Sequence, residues 1–70
     1  MKQIKSNMSG TISKVSVKVG DTIEDSAEIV ILESMKMEIP INSDGSGTVK
    51  EINVSEGDFV NDGDVIAVIE

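Results

Sequence analysis

The sequence predicts an all-β fold of about eight short strands in two matching sets. The first observation is an internal repeat: residues 2–33 align with residues 39–70 without a gap, so that Ile4 falls on Ile41 and Gly20-Asp21 on Gly57-Asp58. Roughly 11 of about 32 aligned positions are identical, which implies two similar supersecondary units sharing one core. The second observation is period-two alternation and runs of β-branched residues, which favour strands. The third is turn punctuation at Ser43-Asp44-Gly45-Ser46-Gly47 and Asn61-Asp62-Gly63-Asp64, whose residue types accept turn geometry.

In order, residues 2–6 form a short strand around Ile4, and Asn7-Met8-Ser9-Gly10 a turn. Residues 10–19 alternate at Val15, Val17 and Val19, giving a long strand. Ile12 is out of phase with them, and Val49 is out of phase with Ile52 and Val54 in the same way. A break repeated in both halves predicts a bulge or bend in each long strand. After the Gly20-Asp21 turn, Thr22-Ile23 is a very short strand. In the following turn Ser26 stands where the second half has Gly63, so a looser loop is expected. Glu28 to Leu32 is read as strand rather than buried helix, because Ile29-Val30-Ile31 are β-branched and the matching run ends at Glu70. Residues 38–42 form a strand containing Pro40, which belongs at a rim. Strands at 47–54, 59–60 and 65–69 complete the second set.

The chain has 70 residues, enough for one domain over 1–70, and a core this small is marginal without a regular architecture. It lacks cysteine and histidine, so disulfides, thiol chemistry and the usual zinc ligands are excluded. A net charge of −7 argues against nucleic acid and anionic membranes as partners. No apolar run approaches membrane-spanning length, nor does the N-terminus carry a secretory segment, so the cytoplasm is the expected compartment.

What belongs to neither half-repeat is residues 34–38, Ser34-Met35-Lys36-Met37-Glu38. This central turn has no Gly, Asn, Asp or Pro, although tight hairpins favour Asn-Gly or Asp-Gly for steric reasons. Local rules are broken most often at functional sites. Glu33-Ser34-Met35-Lys36-Met37-Glu38 resembles the Glu-Ala-Met-Lys-Met attachment motif of biotinyl domains. The likeness covers essentially the whole chain and is nearest to short biotin/lipoyl attachment proteins of the biotin carboxyl carrier type. Ser34 replaces the commoner Ala, and Asn7 stands where such domains often have Pro.

The resemblance implies a flattened barrel or sandwich of two four-stranded sheets with pseudo-twofold symmetry, the attachment hairpin at one end and both termini at the other. It implies that Lys36 is covalently biotinylated: its neutral amine attacks an activated biotin carbonyl supplied by a biotin protein ligase, and the amide removes the charge. The arm would extend on the order of 14 Å from the lysine backbone, given bonds of ~1.5 Å. Tethering would carry a carboxyl group between a biotin carboxylase and a carboxyltransferase at high effective concentration. The chain itself would then be a carrier rather than an enzyme, a monomer when isolated, and either free-standing or a domain of a larger carboxylase. It lacks the thumb-like insertion of some bacterial carriers, because residues 10–20 match 47–57 without a gap.

Glu33, Ser34, Met35, Met37 and Glu38 are candidate ligase-recognition residues. Met35 and Met37 share a strand face and could instead fill the core. Glu33 and Glu38 could instead be a solvated cross-strand pair. Ser–Lys nucleophilic catalysis by Ser34 and Lys36 is disfavoured, because no oxyanion donor is apparent and the chain is short for a deep pocket. Asp62 and Asp64 read as turn residues, not as calcium ligands. A lipoyl carrier, or an acceptor of both biotin and lipoate, keeps the fold and changes the cofactor, but lipoyl domains usually carry Asp-Lys-Ala at this turn. The alternative of another class is an unmodified structural or adaptor module, against which an intact Met-Lys-Met speaks.

Overall fold

The computed structural model describes all residues, 1–70, as eight strands and no helix: β1 Lys2–Lys5, β2 Gly10–Val15, β3 Thr22–Ile23, β4 Glu28–Ser34, β5 Met37–Asn42, β6 Gly47–Ile52, β7 Phe59–Val60 and β8 Val65–Ile69. They form two four-stranded sheets, β1-β8-β6-β3 and β5-β4-β2-β7. Replacing each strand of one sheet by its repeat twin gives the other, so the sequence repeat is a pseudo-twofold of the fold. No helix is long and apolar enough to cross a membrane.

The core obeys the same symmetry. Its 12 buried residues are six twin pairs: Ile4/Ile41, Ile12/Val49, Ile23/Val60, Ile29/Ile66, Val30/Ala67 and Leu32/Ile69. Ser6 and Ser43, the buried polar residues, are also twins. Each donates its hydroxyl to a carbonyl of the following turn, Met8 and Gly45 respectively, and neither leaves an unsatisfied buried polar atom.

Both expected bulges are present. Pairing with the neighbouring strand shifts between Ile12 and Lys14 in β2, and between Val49 and Glu51 in β6. The extra residue lets Ile12 and Val49 turn inward although they break the alternation. A second pair of irregularities falls between Glu28 and Val30 and between Ile4 and Lys5. There Ile29-Val30 and Ile66-Ala67 each place consecutive residues in the core, which period-two reasoning does not anticipate. Pro40 lies in β5, an edge strand, as its missing N–H requires.

The long strands are shorter than the alternation predicts. β2 stops at Val15 rather than residue 19, and β6 at Ile52 rather than 54. The cause is the turn that follows: Asp21 accepts the Lys18 N–H on its carboxylate and donates its own N–H to the Lys18 carbonyl. Asp58 does the same for Ser55. Val17 still packs on the core, but Val19 is 62% exposed, so Val15, Val17 and Val19 do not share a buried face.

Ser26 adopts φ 71°, matching φ 91° at its twin Gly63. The Ser26 loop is tied down rather than loose. Ser26 donates to the Ser43 carbonyl at 3.0 Å, as Gly63 donates to Ser6 at 2.8 Å, and Asn42 adds a side-chain bond to the Ser26 carbonyl. A left-handed serine costs roughly 1 kcal/mol that glycine does not. Ser26→Gly is therefore expected to raise the melting temperature by about 4 °C or more in a domain of this size. A thermal melt that moves downward would show that the serine side chain contributes more than its backbone strain costs.

Candidate functional site

The two halves are joined by the β4–β5 hairpin, whose register runs from Glu28↔Asn42 to Ser34↔Met37. The equivalent place in the other sheet is open: β8 and β1 pair at Lys2↔Ile69, the register twin of Ile39↔Leu32, and the chain begins and ends there. Gly10 pairs with Val60 near the hairpin end, β8 starts just beyond, and it runs away from the hairpin. The hairpin and the termini thus lie at opposite ends of a body 31 × 17 × 16 Å.

At the tip, Met35 has φ 52° and Lys36 φ 65°. Positive φ at both central positions is the type I′ pattern, whose twist matches that of paired strands. Glycine or asparagine would adopt it at less cost; two residues with long side chains hold it at roughly 1–2 kcal/mol each. The β4–β5 ladder offsets that cost and makes the tip a defined projection. Gly10 anchors its base: a Cβ there would lie 2.7 Å from the Glu33 carbonyl oxygen.

Lys36 is exposed and makes neither a hydrogen bond nor an ion pair. Lys2 and Lys50 by contrast reach Asp44 and Glu70. Met35 is 92% and Met37 62% exposed, so neither fills the core. Met37 lies on the strand face of Ile39 and Ile41, but beyond the end of the packed interior. Ser34, opposite Met37, is half-buried. Glu33 and Glu38 sit directly across from each other on the outer face, both exposed. Like charges so placed are unfavourable by a few tenths of a kcal/mol. Glu38 also accepts a hydrogen bond from Ser13 of the β2 bulge at 3.2 Å. The surface has no cavity that encloses a small molecule, and no cluster of acidic side chains that could hold a metal ion.

The arrangement thus presents one primary amine on a strained, well-braced turn, between two exposed methionines and an acidic pair. Its chemistry suits acylation by an outside enzyme: the amine is accessible and free of competing partners, and it springs from a backbone turn that the β4–β5 ladder holds in place. A carboxylate-bearing cofactor fits this site as an amide, since no wall or partner residue has to move.

Fold and site together define a presenting module, a symmetric β-sandwich that offers a lysine at the end opposite its termini. The chain belongs to the biotin/lipoyl family, described as biotin-requiring enzymes, whose family model matches residues 2–69. A biotin/lipoyl attachment protein of Bacillus subtilis (strain 168) is 62% identical over 37 residues, which are 53% of this chain and 51% of that protein. A biotin carboxyl carrier protein of Streptococcus mutans is 58% identical over 31 residues, 44% of this chain and 24% of that protein. The match thus spans about half the length of the first relative and less of the second. The urea carboxylase of Kluyveromyces lactis contains a region with a TM-score of 0.93 and 35% identity, covering 99% of this chain and 6% of that one.

Sequence reasoning missed one neighbour of the site. Phe59 of β7, the only aromatic residue, is 65% exposed on the sheet that carries the hairpin. A single alternating residue in a two-residue strand gives no signal of which face it takes.

Proposed function

We propose that this chain is a biotin carboxyl carrier, modified on Lys36. The observation that carries the reading is the unpartnered Lys36 amine on a positive-φ turn that favours glycine, in a chain of the biotin/lipoyl family. The amine would attack the carbonyl of activated biotin, lose a proton and expel the activating group as the bond that held it to the acyl carbon breaks, giving an amide and a protein one unit more negative. Bound biotin supplies a ureido nitrogen that takes up and gives up a carboxyl group. The chain supplies the rest: a rigid tip, an accessible attachment point and faces for its partners to read. Glu33, Ser34, Met35, Met37 and Glu38 surround the amine and form the surface that a biotin ligase would meet first.

The partners in this reading are a biotin ligase, a biotin carboxylase and a carboxyltransferase. Likeness to a segment of a urea carboxylase and to a biotin carboxyl carrier protein supports it. The chain itself would be non-catalytic, monomeric when isolated, and cytoplasmic with its enzymes. The test is a loading assay. The biotin-modified protein, given a biotin carboxylase, ATP and labelled bicarbonate, is expected to hold label after gel filtration in the cold and lose it to a carboxyltransferase acceptor. A modified protein that never takes label would end the carrier reading.

A further inference from the structure

The internal symmetry provides a control for the surface residues of the two half-repeats, because residues 2–33 and 39–70 are built on the same backbone. Across the hairpin sheet, the outer-face residues Phe59, Thr11, Glu33 and Glu38 stand in register on β7, β2, β4 and β5. The twin row on the other sheet is Thr22, Thr48 and Glu70, running to the open chain ends. Thr11 and Glu33 match their twins. Phe59 does not, and Thr22 shows that the fold is content with a small polar residue in this position. The turns before the two short strands are also anchored alike. Gly57 and Asp58 bond to Ile12, as Gly20 and Asp21 bond to Val49. Yet Glu56 stands where the other half has Val19. The hairpin end has thus gained an exposed aromatic ring and added acids that the architecture does not need. Lys14 stands in the next row of β2, across from Ile31.

We propose that Phe59 is an anchor for the ligase that acylates Lys36, inserting into an apolar pocket rimmed by lysine or arginine, with Glu33, Glu38 and Glu56 facing that rim. The proposal rests on the carrier reading above and extends it. A protein that modifies the lysine must admit the side-chain amine itself, so its body rests on the shoulder of the hairpin. Phe59 lies two strand spacings from β4 and three residues back from the tip, about 14 Å from the Lys36 backbone. A standard interface of ~800 Å² per partner is a disc of about 16 Å radius, so a footprint centred on the tip includes Phe59. Aromatic residues, phenylalanine among them, are enriched at interfaces relative to the rest of the surface, and a net charge of −7 suits a basic partner.

The test measures biotinylation initial rates and ligase affinity for the full chain and three variants. Phe59→Thr installs the twin's residue and is expected to raise KM and Kd about tenfold with kcat unchanged. Phe59→Tyr keeps the ring and is expected to behave as wild type, whereas Thr22→Phe, with the ring at the wrong end, changes nothing. Circular dichroism and a melt check that each variant is folded. Unchanged KM and Kd for folded Phe59→Thr would overturn the proposal. So would unchanged ligase kinetics with slowed carboxyl transfer, which would give the surface to a carboxylase. A wild-type chain that takes no biotin would remove the carrier reading and this proposal with it. One that takes biotin irrespective of Phe59 would remove this proposal alone.

Discussion

Lys36→Arg is expected to abolish biotin incorporation while leaving the fold unchanged. Arginine keeps the positive charge, but its guanidinium stays protonated under ligase conditions and offers no free amine. Lys36 is exposed and makes no hydrogen bond or ion pair, so its loss removes no contact from the folded state. The left-handed backbone conformation disfavours arginine about as much as lysine. A melting temperature within a few degrees of wild type is therefore expected, corresponding to less than about 0.5 kcal/mol. Five other lysines remain as internal controls, among them Lys2 and Lys50 with their acidic neighbours. Labelled biotin that still entered the variant would place the attachment site on one of them and overturn the assignment.

The second large effect is on stability. Leu32→Ala should cost about 3 kcal/mol, within the 2–5 kcal/mol usual for such truncations in a packed core. Leu32 is fully buried. It pairs with Ile12 on one side and Ile39 on the other, and its Cγ lies 3.0 Å from where a Cβ on Gly10 would sit. The backbone around it is tied on both sides, so collapse into the cavity is limited. A domain of this size holds only about 4–10 kcal/mol in total. With a urea slope near ~1 kcal/mol/M, the midpoint should fall by about 3 M at constant slope. The twin change Ile69→Ala should cost less, because Ile69 is the last residue of β8 and the strand end can relax. A loss below about 1 kcal/mol for Leu32→Ala would mean that the interior is not packed as described.

Much of this architecture is legible in the sequence because the repeat supplies two readings of each element. Ile12 alone looks like noise in a strand pattern; Ile12 and Val49 together mark a bulge, and both bulges are present. Pro40 marks an edge through its missing N–H. The unusual turn at Met35-Lys36 is visible as a violation of hairpin preferences, and the positive φ values there show that the violation is real.

Other features depend on tertiary packing. The valine alternation runs on to Val19, but Asp21 captures the Lys18 N–H and turns the chain away. Ile29 and Val30 point inward together because pairing slips between Glu28 and Val30, which no residue type announces. Whether Met35 and Met37 face the core or solvent depends on where the opposing sheet ends. Phe59 acquires its meaning only when the two ends of the molecule are compared.

The central claim is that Lys36 carries biotin. Its most direct test is the intact mass of the protein isolated from its own cell, followed by fragmentation of the peptide spanning β4 and β5. A single added biotinyl group, placed on Lys36, is the expected result. A lipoyl increment at the same lysine would keep the carrier fold and replace the cofactor. An unmodified mass from cells that biotinylate their other carriers would contradict the claim outright.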